Sequence, residues 1–213
     1  MKEILISLFK GYSDMHPAKT TIRQVVDLIK NDALISEHTE KHRHYAKQGL
    51  TDAANREKAA CPCFAIAVRF EGGKRRENIS GWTGLSMADL DHVPTDRMET
   101  MLQSIREDPH TLLSYRTISG NGVRVIFLTD CIGDHSKGNL KLYVFEETNL
   151  YYSRLLDYEC DLKCKNVTRL CGLAHDPDVF FNPEALPFRI QSRTTVSCGT
   201  SPKRTPHKRL QRA

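Results

Sequence analysis

The chain has 213 residues, of which 39% are hydrophobic and 27% charged, so it can bury a core and is too apolar to be disordered throughout. No run of about 18 apolar residues occurs, which excludes a membrane-spanning helix, and the opening MKEILISLFKGYSDMHP turns polar too soon for a secretory signal; a cytoplasmic protein is expected. The net charge of +5 is uneven: Arg189, Arg193, Lys203, Arg204, Lys208, Arg209 and Arg212 stand without an acid in residues 189–213, leaving 24 of the 31 basic residues against all 26 acids, a balance of −2, before them.

In chain order, the first expected helix is TIRQVVDLIKND, capped by Thr21, with Ile22, Val25, Val26 and Ile29 at helical spacing. A second follows around Ile35 to Lys47, and TDAANREKAA adds a short third before Pro62. These elements suggest an N-terminal helical segment, residues 1–54, packing on a core of residues 55–188. CFAIAVRF reads as a strand ended by Glu71-Gly72-Gly73-Lys74, and TGLSMADLDHV as another, closed by Pro94. Thr95 then opens a helix with an apolar stripe of Met98, Met101, Leu102 and Ile105.

TLLSYRTI and VRVIFL flank Ser119-Gly120-Asn121-Gly122, a strong hairpin signal, and LKLYVFEETNLYYSRLLDY reads as a helix. The order implies an α+β fold with a mainly antiparallel sheet. Residues 189–213 read as a flexible basic tail, either solvated or suited to phosphate backbones. Seven cysteines, an odd number without a secretory context, imply reduced thiols. Cys160, Cys164 and Cys171 lack paired knuckle spacing and are better read as buried than as zinc ligands, while His38, His42 and His44 fit a solvated helix face.

The chemistry-bearing residues start with Asp89-Leu90-Asp91. On a strand, residues i and i+2 share a face, so the two carboxylates would converge on one side, where oxygen ligands suit Mg²⁺ or Mn²⁺. Taken alone, D-x-D is frequent by chance and equally describes a strand entering a loop. Its company adds weight: the small-residue turn before Arg124 could approach phosphate, and Asp161 and Arg169 follow downstream. Acids to hold metals and arginines to meet phosphate charge are what phosphoryl transfer requires. Lys74-Arg75-Arg76 offers a basic contact for a nucleic-acid strand. Trp82 is either a stacking platform or a residue packed over the sheet edge.

Taken together, TGLSMADLDHV, SYRTISGNGVRVIF and DLKCKNVTRLCGLAHDPDVFFNP resemble the primase–polymerase domains of the archaeo-eukaryotic primase superfamily, and within it the VirE N-terminal-like branch, over residues 55–188. The resemblance implies an RRM-like sheet core and a two-metal Mg²⁺ or Mn²⁺ centre on Asp89, Asp91 and Asp161. Ser119, Gly120 and Gly122 match the small-residue turn that meets nucleotide. Arg124 stands where polymerising members have a histidine, and Arg169 matches an arginine facing the triphosphate. Template contact would fall to Lys74, Arg75 and Arg76.

The implied partners are nucleotides, single-stranded DNA or RNA, and a helicase domain or chain, since no Walker A motif occurs here. The implied function is metal-dependent nucleotidyl transfer in replication of a mobile element or phage. A catalytically inactive nucleic-acid or replication-partner binding module of the same fold is the alternative, favoured by Arg124 in place of histidine. His175 and Asp176 read as a structural turn before Pro177.

Overall fold

Thr21 acts as its place before an apolar-periodic run demands. Its hydroxyl accepts from the Gln24 amide at 3.2 Å while its own amide donates to Gln24 Oε1 at 3.0 Å, a reciprocal cap that opens α1 (Ile22–Asn31) and buries Ile22, Val25 and Ile29. The computed structural model describes residues 3–130 and 139–189. The basic tail read beyond residue 189, with Cys131 and Cys198, lies outside them.

Asp32 caps α2 (Ala33–Lys47) by accepting from the Ile35 amide at 2.9 Å. Next comes α3 (Thr51–Ala60). The α2 histidines do not form the solvated face expected of them. Nδ1 of His38 meets Glu57 at 2.8 Å, and buried His42 donates to the Ala54 carbonyl at 2.8 Å, so two of the three join α2 to α3.

The N-terminal segment also supplies two strands, β1 (Leu5–Phe9) and β2 (Ala18–Thr21). The apolar run at 63–70 divides into β3 (Cys63–Ala65) and β4 (Val68–Phe70). Ile66 and Ala67 between them are also buried, so nothing in the hydropathy marks the break. Strand β4 turns back through Gly72-Gly73 to pair with β5 (Ile79–Trp82). Trp82 packs against the core from there.

The strands β6 (Leu85–Leu90), β7 (Thr111–Arg116), β8 (Val123–Leu128), β9 (Leu170–Gly172) and β10 (Phe180–Phe181) complete two four-stranded sheets, ordered β2-β1-β3-β9 and β10-β7-β8-β6. All pairings between these strands are antiparallel. The expected α+β class with a mainly antiparallel sheet is therefore observed. The boundary drawn at residue 54 cuts across the first sheet, because Ser7 of β1 pairs with Ala65 of β3.

Strand alternation builds two cores from the second sheet. One face presents Leu85, Met87, Leu113, Tyr115 and Ile126 to the cluster that holds Phe64 of the first sheet and Val25 of α1. The opposite face presents Ala88, Leu90, Val123, Val125 and Phe127 to Met101 and Ile105 of α4 (Thr95–Glu107) and Tyr152 of α5 (Asn139–Leu156). Buried Asp108 joins these helices by accepting from the hydroxyls of Tyr151 and Tyr152, each at 2.8 Å. Cys61, Cys63, Cys160, Cys164 and Cys171 are buried free thiols. Burial pushes Cys61 and Cys63 up to about 12, which removes their thiolate reactivity at neutral pH. No helix of the described residues is long and apolar enough to cross a membrane.

Candidate functional site

The register of the second sheet puts Tyr115, Arg124 and Asp89 side by side on β7, β8 and β6. Same-rung neighbours share a face, and this rung lies against the first sheet. Arg124 grips Asp89 with two nearly parallel hydrogen bonds, Nε to Oδ1 at 3.1 Å and Nη2 to Oδ2 at 2.8 Å. Its Nη1 donates to the Tyr115 hydroxyl at 3.2 Å and to the Gly172 carbonyl at 3.0 Å, and the Tyr115 hydroxyl donates to that carbonyl too. The pair therefore ties the second sheet to β9 of the first. The Asp89 side chain is only 3% exposed and that of Arg124 11%. Burial works against the guanidinium charge, but the Asp89 carboxylate outweighs it and holds the Arg124 pKa well above its ordinary value.

Arg169, just before β9, adds a second cation, its Nη2 lying 3.7 Å from Asp89 Oδ2 and 3.9 Å from Asp161 Oδ2. The Asp161 amide donates to the Asp89 carbonyl at 2.8 Å, which brings this acid beside β6 from 72 positions downstream. Asp91 lies one residue past the end of β6 and is exposed. The chain turns there, His92 adopting a left-handed φ of 56°, while the Tyr158 hydroxyl bonds the carbonyls of Asp91 and His92, each at 2.8 Å.

A cavity of about 110 Å³ opens on this cluster, lined by Asp89, Asp91, Arg124 and Arg169 together with Lys58, Tyr12 and the turn residues Thr117 to Ser119. It is well below the several hundred Å³ of a drug-sized pocket, so it suits a small polar group and not a whole organic ligand. Three cations line it against two carboxylates.

The hairpin turn forms one wall, and its glycines serve the backbone. Gly120 has φ +81°, and a Cβ on Gly122 would come within 2.6 Å of Thr117 Oγ1 and 2.9 Å of the Leu90 carbonyl. Ser119 donates its hydroxyl to Asn121 Oδ1 at 2.6 Å. Arg43 of α2 holds the turn from outside by donating Nε to the Ile118 carbonyl at 3.1 Å. Gly122→Ala is expected to cost about 1–3 kcal/mol through this overpacking, read as a lower urea midpoint with an unchanged m-value. A midpoint equal to wild type would show that Thr117 and Leu90 yield freely.

Of the residues expected from sequence, the structure gathers Asp89, Asp161, Arg124 and Arg169 into one ion-pair cluster and brings Asp91 and Ser119 to the same cleft. Lys74, Arg75 and Arg76 do not line it: Lys74 donates its ammonium to the Tyr12 carbonyl, and Arg75 faces Glu77 at 3.9 Å on the exposed β4–β5 turn. Lys58 and Tyr12 were not foreseen. Tyr12 lies in the N-terminal packing segment and Lys58 in the short helix before Pro62, and no local pattern marks them.

The expected two-metal centre does not fit this donor set. Both Asp89 oxygens are engaged by Arg124, and Arg169 stands between Asp89 and Asp161. Among the described residues no group of three or more His, Cys, Asp or Glu side chains is placed to hold a metal ion. Arg124 itself is committed to protein oxygens, so it is not the open phosphate contact expected of it.

Searches of curated proteins and of solved structures find no match to the chain. A family model described as "BT4734-like, N-terminal domain" matches residues 56–181, more than half of the sequence. This family differs from the VirE N-terminal-like primase–polymerase branch that the motif order resembles, and it replaces that assignment. The matched span includes every charged residue that lines the cavity, Lys58, Asp89, Asp91, Arg124 and Arg169, and Asp161 beside them. The chain belongs to the BT4734-like N-terminal domain family.

Proposed function

We propose that the cleft binds the phosphate groups of a nucleotide or of a single-stranded nucleic-acid end. The observation that carries this reading is the charge balance of a small cleft: Lys58, Arg124 and Arg169 against Asp89 and Asp91, with the Asp89 charge already met by Arg124. An anion entering there meets Lys58, which is exposed, and Arg169, which is one-third exposed. Charge-assisted hydrogen bonds from such groups to phosphate oxygens are short and strong. The cavity holds one or two phosphoryl groups and leaves the nucleoside outside, so recognition would rest on phosphate more than on the base.

Binding, and not transfer, is the activity this arrangement favours, because Asp89 would have to leave Arg124 before it could ligate a metal. The test is calorimetric titration of the full chain with ATP, adenosine and a single-stranded oligonucleotide carrying a 5′-phosphate. ATP and the oligonucleotide should bind saturably and weaken as salt rises from about 50 to about 200 mM, and adenosine should not bind. Equal affinity for adenosine and ATP, or no binding of either phosphate ligand, overturns the reading.

A further inference from the structure

A guanidinium has five N–H donors in a rigid fork. Arg124 spends four of them on protein oxygens: two on Asp89, one on Tyr115 and one on Gly172. This cation is therefore built into the sheet seam, with four of its five donors spent there. A divalent ion seeking the Asp89 oxygens would have to expel the guanidinium, and Tyr115 and Gly172 would lose their donor in the same step. The Asp89 carboxylate is thus already met by a positive charge that the protein carries itself.

We propose that Arg124 is a resident counter-cation that makes the cleft an oligophosphate site working without divalent metal. This rests on the phosphate-binding reading above. Lysine could not do the same work, because an ammonium cannot span both carboxylate oxygens in one plane and reach Tyr115 and Gly172 as well.

The experiment titrates the wild-type chain with sodium tripolyphosphate in EDTA and again with excess Mg²⁺, and separately follows free Mn²⁺ by its paramagnetic resonance signal as protein is added. Saturable tripolyphosphate binding in EDTA with no loss of the Mn²⁺ signal is the expected result. Binding that appears only with Mg²⁺ overturns the inference and leaves the phosphate-binding reading standing; no binding in either condition overturns both. Loss of the Mn²⁺ signal in wild type, abolished by Asp89→Asn, also overturns the inference. Arg124→Gln, where circular dichroism shows it folded, should lose about tenfold or more in tripolyphosphate affinity. A folded R124Q that binds tripolyphosphate as wild type does counts against the inference. The wild-type arms decide the matter without the variant.

Discussion

Replacing Arg124 with methionine should destabilise the fold by about 3–5 kcal/mol, because truncating one member of a buried ion pair leaves the other charge uncompensated. Asp89, 3% exposed, would keep its carboxylate without its two principal donors. The hydroxyl of Tyr115 and the carbonyl of Gly172 would lose a partner in the same change. Asp89→Ala should cost a comparable amount by stranding the guanidinium. The double replacement Asp89→Leu with Arg124→Met should recover much of the loss, since removing both charges removes the desolvation penalty with them. Urea unfolding of the two single variants and the double variant measures this directly. Additive losses across the cycle, or single variants within about 0.5 kcal/mol of wild type as for an ordinary surface change, would show that the pair is not coupled.

The same rung shows what was legible in the sequence and what was not. Each of the helices α1 to α5 was expected from sequence, α1 most clearly because its apolar spacing is joined by the Thr21 cap. Asn-Gly between two β-prone runs located the β7–β8 hairpin but not its register, because Arg116 pairs with Val123 around a loop of residues 117–122, wider than a two-residue turn. Asp89 and Arg124 were each singled out, yet their contact depends on β6 pairing with β8 over 35 positions, and nothing local encodes a register at that distance. Reading the acids as metal ligands followed from the spacing of Asp89 and Asp91 and from the family resemblance. It could not anticipate that Asp89 and Asp161 would already face guanidinium groups.

Strand β1 was missed because LISLF is a short apolar run, and such runs are ambiguous between helix and strand. Strands β9 and β10, of three and two residues, are shorter than any period that could reveal them. The arrival of Lys58 and Tyr12 at the cleft depends on how the N-terminal elements pack, a tertiary outcome that hydropathy does not carry.

Arg169→Ala should do the opposite of Arg124→Met: leave stability nearly unchanged and lower ATP and tripolyphosphate affinity about 10- to 100-fold. Both of its ion pairs, at 3.7 and 3.9 Å, are longer than a charged hydrogen bond, and its side chain is 32% exposed. Little folding energy is held in those contacts, for partly exposed pairs at such distances are screened by water. The donors can therefore turn toward an incoming phosphate. Losing hydrogen bonds between charged partners typically costs about 1.5–3 kcal/mol, which converts to the stated range.

Arg169→Lys should fall between, keeping the charge and losing the fork, whereas Lys58→Ala on the exposed face of α3 should cost less and lose its effect sooner as salt rises. Calorimetric titration of each variant beside its urea midpoint separates the roles. An Arg169→Ala chain that binds within about twofold of wild type, a change of some 0.4 kcal/mol, would mean that the phosphate enters elsewhere, and that both arginines of this seam serve only to neutralise Asp89 and Asp161.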